Sequence, residues 1–169
     1  MALSFLPSSE LSIKVVVTCD DSVECTDEQR SLYLENGDES HLTITGDVTW
    51  FTLKALSPTE REDAEARAGA YSRSELGRLL WSMSPSNMEE KARWHHALTD
   101  DERIAYSEYN GYLNRVYMEM IRSSLTHVNG TEFDADQIND IRPESSRVQT
   151  ITELVFHIQR ISLLGSPGK

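Results

Sequence analysis

The segment Gly46 to Gly69, GDVTWFTLKALSPTEREDAEARAG, constrains the fold more than any other part of the chain. An extended apolar run, Val48 to Leu56, passes directly into a strongly marked helix start. Ser57 is placed to cap that helix, and Pro58 fits the first turn, where its missing N–H costs nothing. Glu60 stands three residues after Ser57, so the pair can form a capping box that satisfies two orphaned donors. Glu60, Glu62 and Asp63 put negative charge at the positive end of the helix dipole. The hydrophobic period is two before this joint and three to four after it. The sequence therefore predicts an α+β chain with an N-terminal antiparallel β-meander over residues 1–56, a helical domain over 57–165 and a flexible tail over 166–169.

Within the first third, Leu11, Ile13, Val15, Val17 and Cys19 alternate with Ser12, Lys14, Val16 and Thr18, which predicts a strand with one buried face. Asp20 to Glu28 reads as an acidic loop. Leu32 and Leu34 flank Tyr33 in an expected second strand, Asn36-Gly37 marks a tight turn, and Leu42 and Ile44 make an expected third strand. Val48 to Leu56 is the fourth. Short connections imply antiparallel neighbours, and residues 1–10 read as a loose terminus.

Beyond Ser57 the first helix, Pro58 to Ala68, has few large apolar residues and is expected to be exposed on most sides, with Gly69 as its end. Ser72 or Ser74 can cap a helix holding Leu76, Leu79, Leu80 and Met83. A short helix from Met88 to Leu98 is anchored by Trp94 and Leu98. Thr99 and Glu102 form a second capping-box signature, which opens a long helix expected to reach His127. Its apolar stripe includes Tyr109, Tyr112, Leu113, Val116, Tyr117, Met120, Ile121, Leu125 and Val128. Thr131 to Glu144 reads as a polar connector, and a last helix, Ser145 to Leu164, buries Val148, Ile151, Leu154, Val155, Ile158 and Ile161.

The charge is uneven. Of the net −12, the chain through Glu65 carries 14 acidic against 4 basic residues, and the remainder 14 against 12. An acidic first third argues against nucleic acid or an anionic membrane as partner, because phosphate neutralisation needs Lys and Arg. It favours solubility or a basic protein partner. No apolar run approaches the ~20 residues of a membrane span, and MALSFLPSSE lacks the basic region of a signal peptide. Cys19 and Cys25 match no metal spacing.

The residues that carry chemistry elsewhere are weakly arranged here. His95 and His96 are helix neighbours that point about 100° apart, which does not favour a shared metal. The acidic loop lacks the mid-loop glycine and the register of a calcium site. There is no Gly-x-Ser-x-Gly, no activating context for Cys19, and no helix after Gly168-Lys169 to build a phosphate site. The expectation is no metal, no cofactor and no catalysis. Tyr106, Tyr109, Tyr112 and Tyr117 recur at helical spacing. They read either as core or, because Tyr is amphipathic and enriched at interfaces, as a partner-binding groove.

A strand rich in Thr and aromatics, with Thr49, Phe51 and Leu53, followed by Ser57-Pro58-Thr59-Glu60-Arg61 and an amphipathic helix at Thr150–Leu164, resembles the tail assembly chaperones of long-tailed bacteriophages. The resemblance covers the organisation of residues 46–165. It implies a host-cytoplasmic protein that binds the tape measure protein during tail assembly, with no enzymatic activity or cofactor, and that is absent from the finished virion. Two other classes fit the same sequence. One is a virion structural protein, such as a tail-completion or neck component in a homo-oligomeric ring. The other, suggested by charge alone, is an acidic inhibitor that mimics nucleic acid.

Overall fold

Local capping signals decide where most of the elements begin. The structure, a computed structural model, describes residues 11–69 and 75–164. The expected loose terminus over residues 1–10, the cap at Ser72 or Ser74 and the tail lie outside these. The protein is α+β, with an N-terminal antiparallel strand region followed by a mostly helical C-terminal part. In chain order the elements are β1 (Ser12–Val15), β2 (Val23–Glu24), α1 (Asp27–Asn36), a 3-10 turn at Glu39–His41, β3 (Thr43–Ile44), β4 (Phe51–Lys54) and α2 (Pro58–Arg67). There follow α3 (Glu75–Met83), α4 (Met88–Ala97), α5 (Asp100–Ser124), β5 (Leu125–Val128), β6 (Thr131–Glu132), a second 3-10 turn at Ala135–Asp140 and α6 (Glu144–Leu164).

The Ser57 box forms as expected. Ser57 N–H donates to Glu60 Oε2 at 2.8 Å, and Glu60 N–H donates to Ser57 Oγ at 3.2 Å. Lys54 Nζ adds a bond to Glu60 Oε1 at 2.9 Å, and together with the Ser57 N–H it holds the Glu60 carboxyl below its usual range. Helix α2 buries only Ala64. The Thr99 box also forms, with Thr99 N–H on Glu102 Oε2 at 2.8 Å and Glu102 N–H on Thr99 Oγ1 at 3.3 Å.

Several expectations need correction, among them the burial of Val148, which is 53% exposed. The predicted strand at Leu32–Leu34 is part of helix α1. Thr26 and Gln29 form a full capping box, and Gly37 closes the helix in the left-handed region; three residues of alternation cannot outweigh helix signals at both ends. The predicted loop Asp20–Glu28 therefore contains β2 and the first two residues of α1 rather than loop alone. The long helix stops at Ser124, and Leu125 to Val128 is strand β5 instead of helical stripe. The connector 131–144 holds β6 and a 3-10 turn that buries Ala135 and Ile138.

The strand pairing also departs from a simple meander. The main sheet has the order β1-β4-β5-β6, all antiparallel, while β2 and β3 pair separately. The helix-to-strand switch at Leu125 is explained by what β4 needs. Leu53 pairs with Leu125, Thr52 with His127 and Phe51 with Val128, leaving Thr126 as an extra residue in a bulge. Ser124 Oγ donates to Lys54 O at 2.6 Å and Thr126 Oγ1 to Thr52 O at 3.2 Å, so side chains satisfy carbonyls where the ladder is interrupted. Asn129 (φ 50°) and Gly130 (φ 78°) then make the hairpin turn, a pairing of left-handed residues that matches strand twist.

Two compact units result. The first takes in the chain up to Ala64 and from Tyr117 onward; the second runs from Glu65 to Val116. Strands β5 and β6 and helix α6 thus fall in the same unit as the strands of the first third. In the first unit Val15, Phe51 and Leu53 of the sheet and Leu154, Val155, Ile158 and Ile161 of α6 are buried. Leu56 N–H donates to Ser162 Oγ at 2.9 Å, tying β4's exit to α6. Val16, Val23 and Tyr33 form a second cluster under α1, and the Tyr33 hydroxyl bonds both the N–H and the C=O of Val16 at 3.1 Å where the β1 ladder has ended.

Candidate functional site

In the second unit a close helix crossing decides which residues face outward. A Cβ at Gly77 would lie 2.4 Å from the Ala105 carbonyl oxygen, so only glycine lets α3 approach α5 this closely. Gly77 and Leu80 are the buried positions of α3. Trp81 lies edge-on to Tyr109, with ring centroids 6.1 Å apart. With Gly77 and Leu80 buried, the other apolar residues of α3 keep exposed surface, and Trp81 is still 42% exposed although its ring meets Tyr109. Leu76, Leu79 and Met83 follow i, i+3, i+7 spacing, which aligns them as one ridge. They are 39, 56 and 60% exposed. Ile104, on α5, is also exposed.

The four tyrosines are divided. Tyr106 is 7% exposed and packs edge-on against Trp94 at 5.3 Å and His95 at 5.9 Å, while its hydroxyl is 3.4 Å from Ser84 Oγ. Tyr109 and Tyr112 are half-buried, with ring centroids 6.3 Å apart. Tyr117 belongs to the first unit and is also half-buried. The structure therefore brings Tyr106, Tyr109 and Tyr112 together with Trp81 and Trp94 as the aromatic packing that holds α3 and α4 on α5. The exposed apolar surface of this unit includes the ridge, whose residues the sequence assigned simply to a helix, together with Ile104 and part of Trp81.

The first unit contains buried polar groups that the sequence did not single out. Glu153 and His157 are both 0% exposed. Glu153 accepts from Thr18 N–H at 2.7 Å, Thr18 Oγ1 at 2.6 Å and Gln149 Nε2 at 2.8 Å, and Arg30 Nε lies 3.0 Å from it. A carboxylate so surrounded is balanced in charge and hydrogen bonding. His157 stacks edge-on against Tyr33, centroids 5.0 Å apart. Its Nδ1 faces Arg160 Nη2 at 3.0 Å. A guanidinium can only donate, so Nδ1 accepts and the ring is neutral with its proton on Nε2. Burial first, and the Arg160 charge second, push its pKa from the ordinary 6.5 down to about 3. Neither side chain can touch a solute without the fold opening, so both read as structural links from α6 to the β1 end and α1. The signal for them in the sequence was their period on α6, where they share the apolar face with Leu154, Ile158 and Ile161.

Among the described residues no three His, Cys, Asp or Glu side chains converge to hold a metal ion. Cys19 and Cys25 are free thiols. No helix among the described residues is long and apolar enough to cross a membrane. No protein-family model matches the chain, and no curated protein or solved structure is significantly similar to it.

Proposed function

We propose that this chain is a non-catalytic binding protein that shelters an apolar helical segment of a partner, and that it serves as a tail assembly chaperone for a phage tape measure protein. The observation that carries the reading is the ridge of Leu76, Leu79 and Met83. Burying one such side chain is worth roughly 1.5–3 kcal/mol. A unit as small as residues 65–116 forgoes much of that gain at Leu79 and Met83 and part of it at Leu76, and such exposed apolar patches mark interaction surfaces. A ridge at three-four spacing fits the groove between turns of another amphipathic helix. The client is named by the resemblance at Val48–Leu56 and Ser57–Arg61, with tape measure proteins offering long helical segments that need cover before assembly.

The test is co-expression. The intact chain should keep a co-expressed tape measure protein soluble, and Leu79→Lys with Met83→Lys should leave that protein in the pellet while the variant itself stays folded. Solubilisation undiminished by the double substitution would refute the ridge as the binding surface. Stoichiometric copies of this chain in purified particles would instead favour a structural ring component.

A further inference from the structure

A half-open cleft of about 580 Å³ lies wholly within the first unit. That size falls in the roughly 300–1,000 Å³ range of ligand sites. Its floor is apolar: Val17, Phe51 and Ile138 are buried there, and Phe133 and Ile141 are half-buried along the wall. One rim is acidic, formed by Asp20, Asp21 and Asp47. These three carboxylates are not equivalent. Asp20 is engaged internally, accepting Ser22 N–H at 2.9 Å and Thr49 N–H at 3.0 Å. Asp21 and Asp47 are exposed, and their carboxylates have no hydrogen bond or ion pair among the described residues.

Arg142 is the one basic residue among the described residues that line the cleft, and its Nη1 donates to the carbonyls of Asn139 and Ile141, each at 3.0 Å. Those carbonyls do not cancel the guanidinium charge, but one cation against the carboxylates of Asp20, Asp21 and Asp47 leaves the cleft lining net negative. The surrounding unit offers little to offset it, since its chain segments hold 20 acidic and 9 basic residues. No three ligating side chains converge among the described residues, so a bare metal ion lacks a ligand set here. A cation suited to this cleft has to bring an apolar body with it.

We propose that the cleft binds a short basic peptide segment of a partner protein, with an apolar side chain seated on Phe51, Phe133 and Ile138 and an adjacent Lys or Arg paired with Asp21 and Asp47. This follows from charge complementarity at the rim joined to an apolar floor. It is independent of the α3 ridge, which lies in the other unit.

The probe is a fluorescein-labelled hexapeptide of alternating Lys and Leu, titrated into the full chain and followed by anisotropy. Asp21→Asn with Asp47→Asn should weaken binding about fivefold or more, given the usual worth of exposed ion pairs, without altering the melting temperature. A peptide with Glu in place of Lys should not bind, and one with Ser in place of Leu should bind far more weakly. Position is read at Cys19, which lines the cleft: in a Cys25→Ser chain, bound peptide should slow its alkylation. A Leu79→Lys chain should bind the peptide as the unaltered chain does. No binding, equal binding of the Ser-substituted peptide, affinity unchanged by the two Asn substitutions or an unchanged Cys19 rate would each overturn the proposal. Loss of binding in Leu79→Lys would place the peptide on the ridge and overturn it as well.

Discussion

Lowering the pH from about 7.5 to about 5 should remove about 2 kcal/mol of stability from the first unit, through His157 alone. The ring is buried and neutral, with its pKa lowered from 6.5 to about 3 by burial and by the Arg160 guanidinium. In the unfolded chain it titrates near its ordinary value. Its folded pKa is the depressed one, so the contribution is whole above 6.5 and is lost as pH falls from there toward 3. At about pH 5 the unfolded ring is almost fully protonated while the folded ring is not. The gap of about 1.5 pH units below 6.5, at about 1.4 kcal/mol each, gives the 2 kcal/mol. Urea unfolding at the two pH values and constant ionic strength measures it. With a slope of about 2 kcal/mol per molar, the midpoint should fall by about 1 M. His157→Phe keeps an aromatic edge for Tyr33 but cannot titrate, and it should flatten this dependence whatever its absolute stability. Equal slopes for the two chains would refute the reasoning.

Ile158 is fully buried and Gln159 is exposed, so Ile158→Asp should abolish soluble folded protein while Gln159→Asp leaves the melting temperature nearly unchanged. Ser57→Ala should cost about 1 kcal/mol, Glu60→Ala should also destabilise, and a double-mutant cycle in urea should be non-additive because one box holds both residues; strict additivity would contradict the shared motif. Gly77→Ala should destabilise the second unit by about 1–3 kcal/mol through its clash with the Ala105 carbonyl. Gly111→Ala, whose Cβ would meet nothing nearer than Arg115 at 3.8 Å, should stabilise by up to about 1 kcal/mol on helix propensity. Thermal melts of the two variants with the same sign would contradict the close crossing.

What could be read from the sequence was what is local. The boxes at Ser57 and Thr99 depend on four consecutive residues, and both form as their spacing requires. The burial of Leu154, Val155, Ile158 and Ile161 follows from period, but the same period also expects Val148 to be buried, and in the helix's first turns it is 53% exposed. Leu125 and Val128 kept helical spacing with Ile121, yet they became strand, because the free edge of β4 lies more than 70 positions earlier in the chain and only the fold brings it near. Leu32-Tyr33-Leu34 was too short for its alternation to mean strand, and the deciding residues, Thr26, Gln29 and Gly37, lay outside it. The ridge stayed hidden for a related reason. Leu76, Leu79, Leu80 and Met83 look like one stripe, and only the Gly77 crossing with Ala105 separates Leu80, which is buried, from the three that are not.

The ridge as a binding surface is tested most directly by photo-crosslinking in cells that make both this chain and a tape measure protein, its proposed client. A photoreactive residue placed at Leu79 should yield an adduct with that protein, and the same residue at Glu35, exposed on α1 of the other unit, should not. No adduct from position 79, or equal adducts from both positions, would contradict the account.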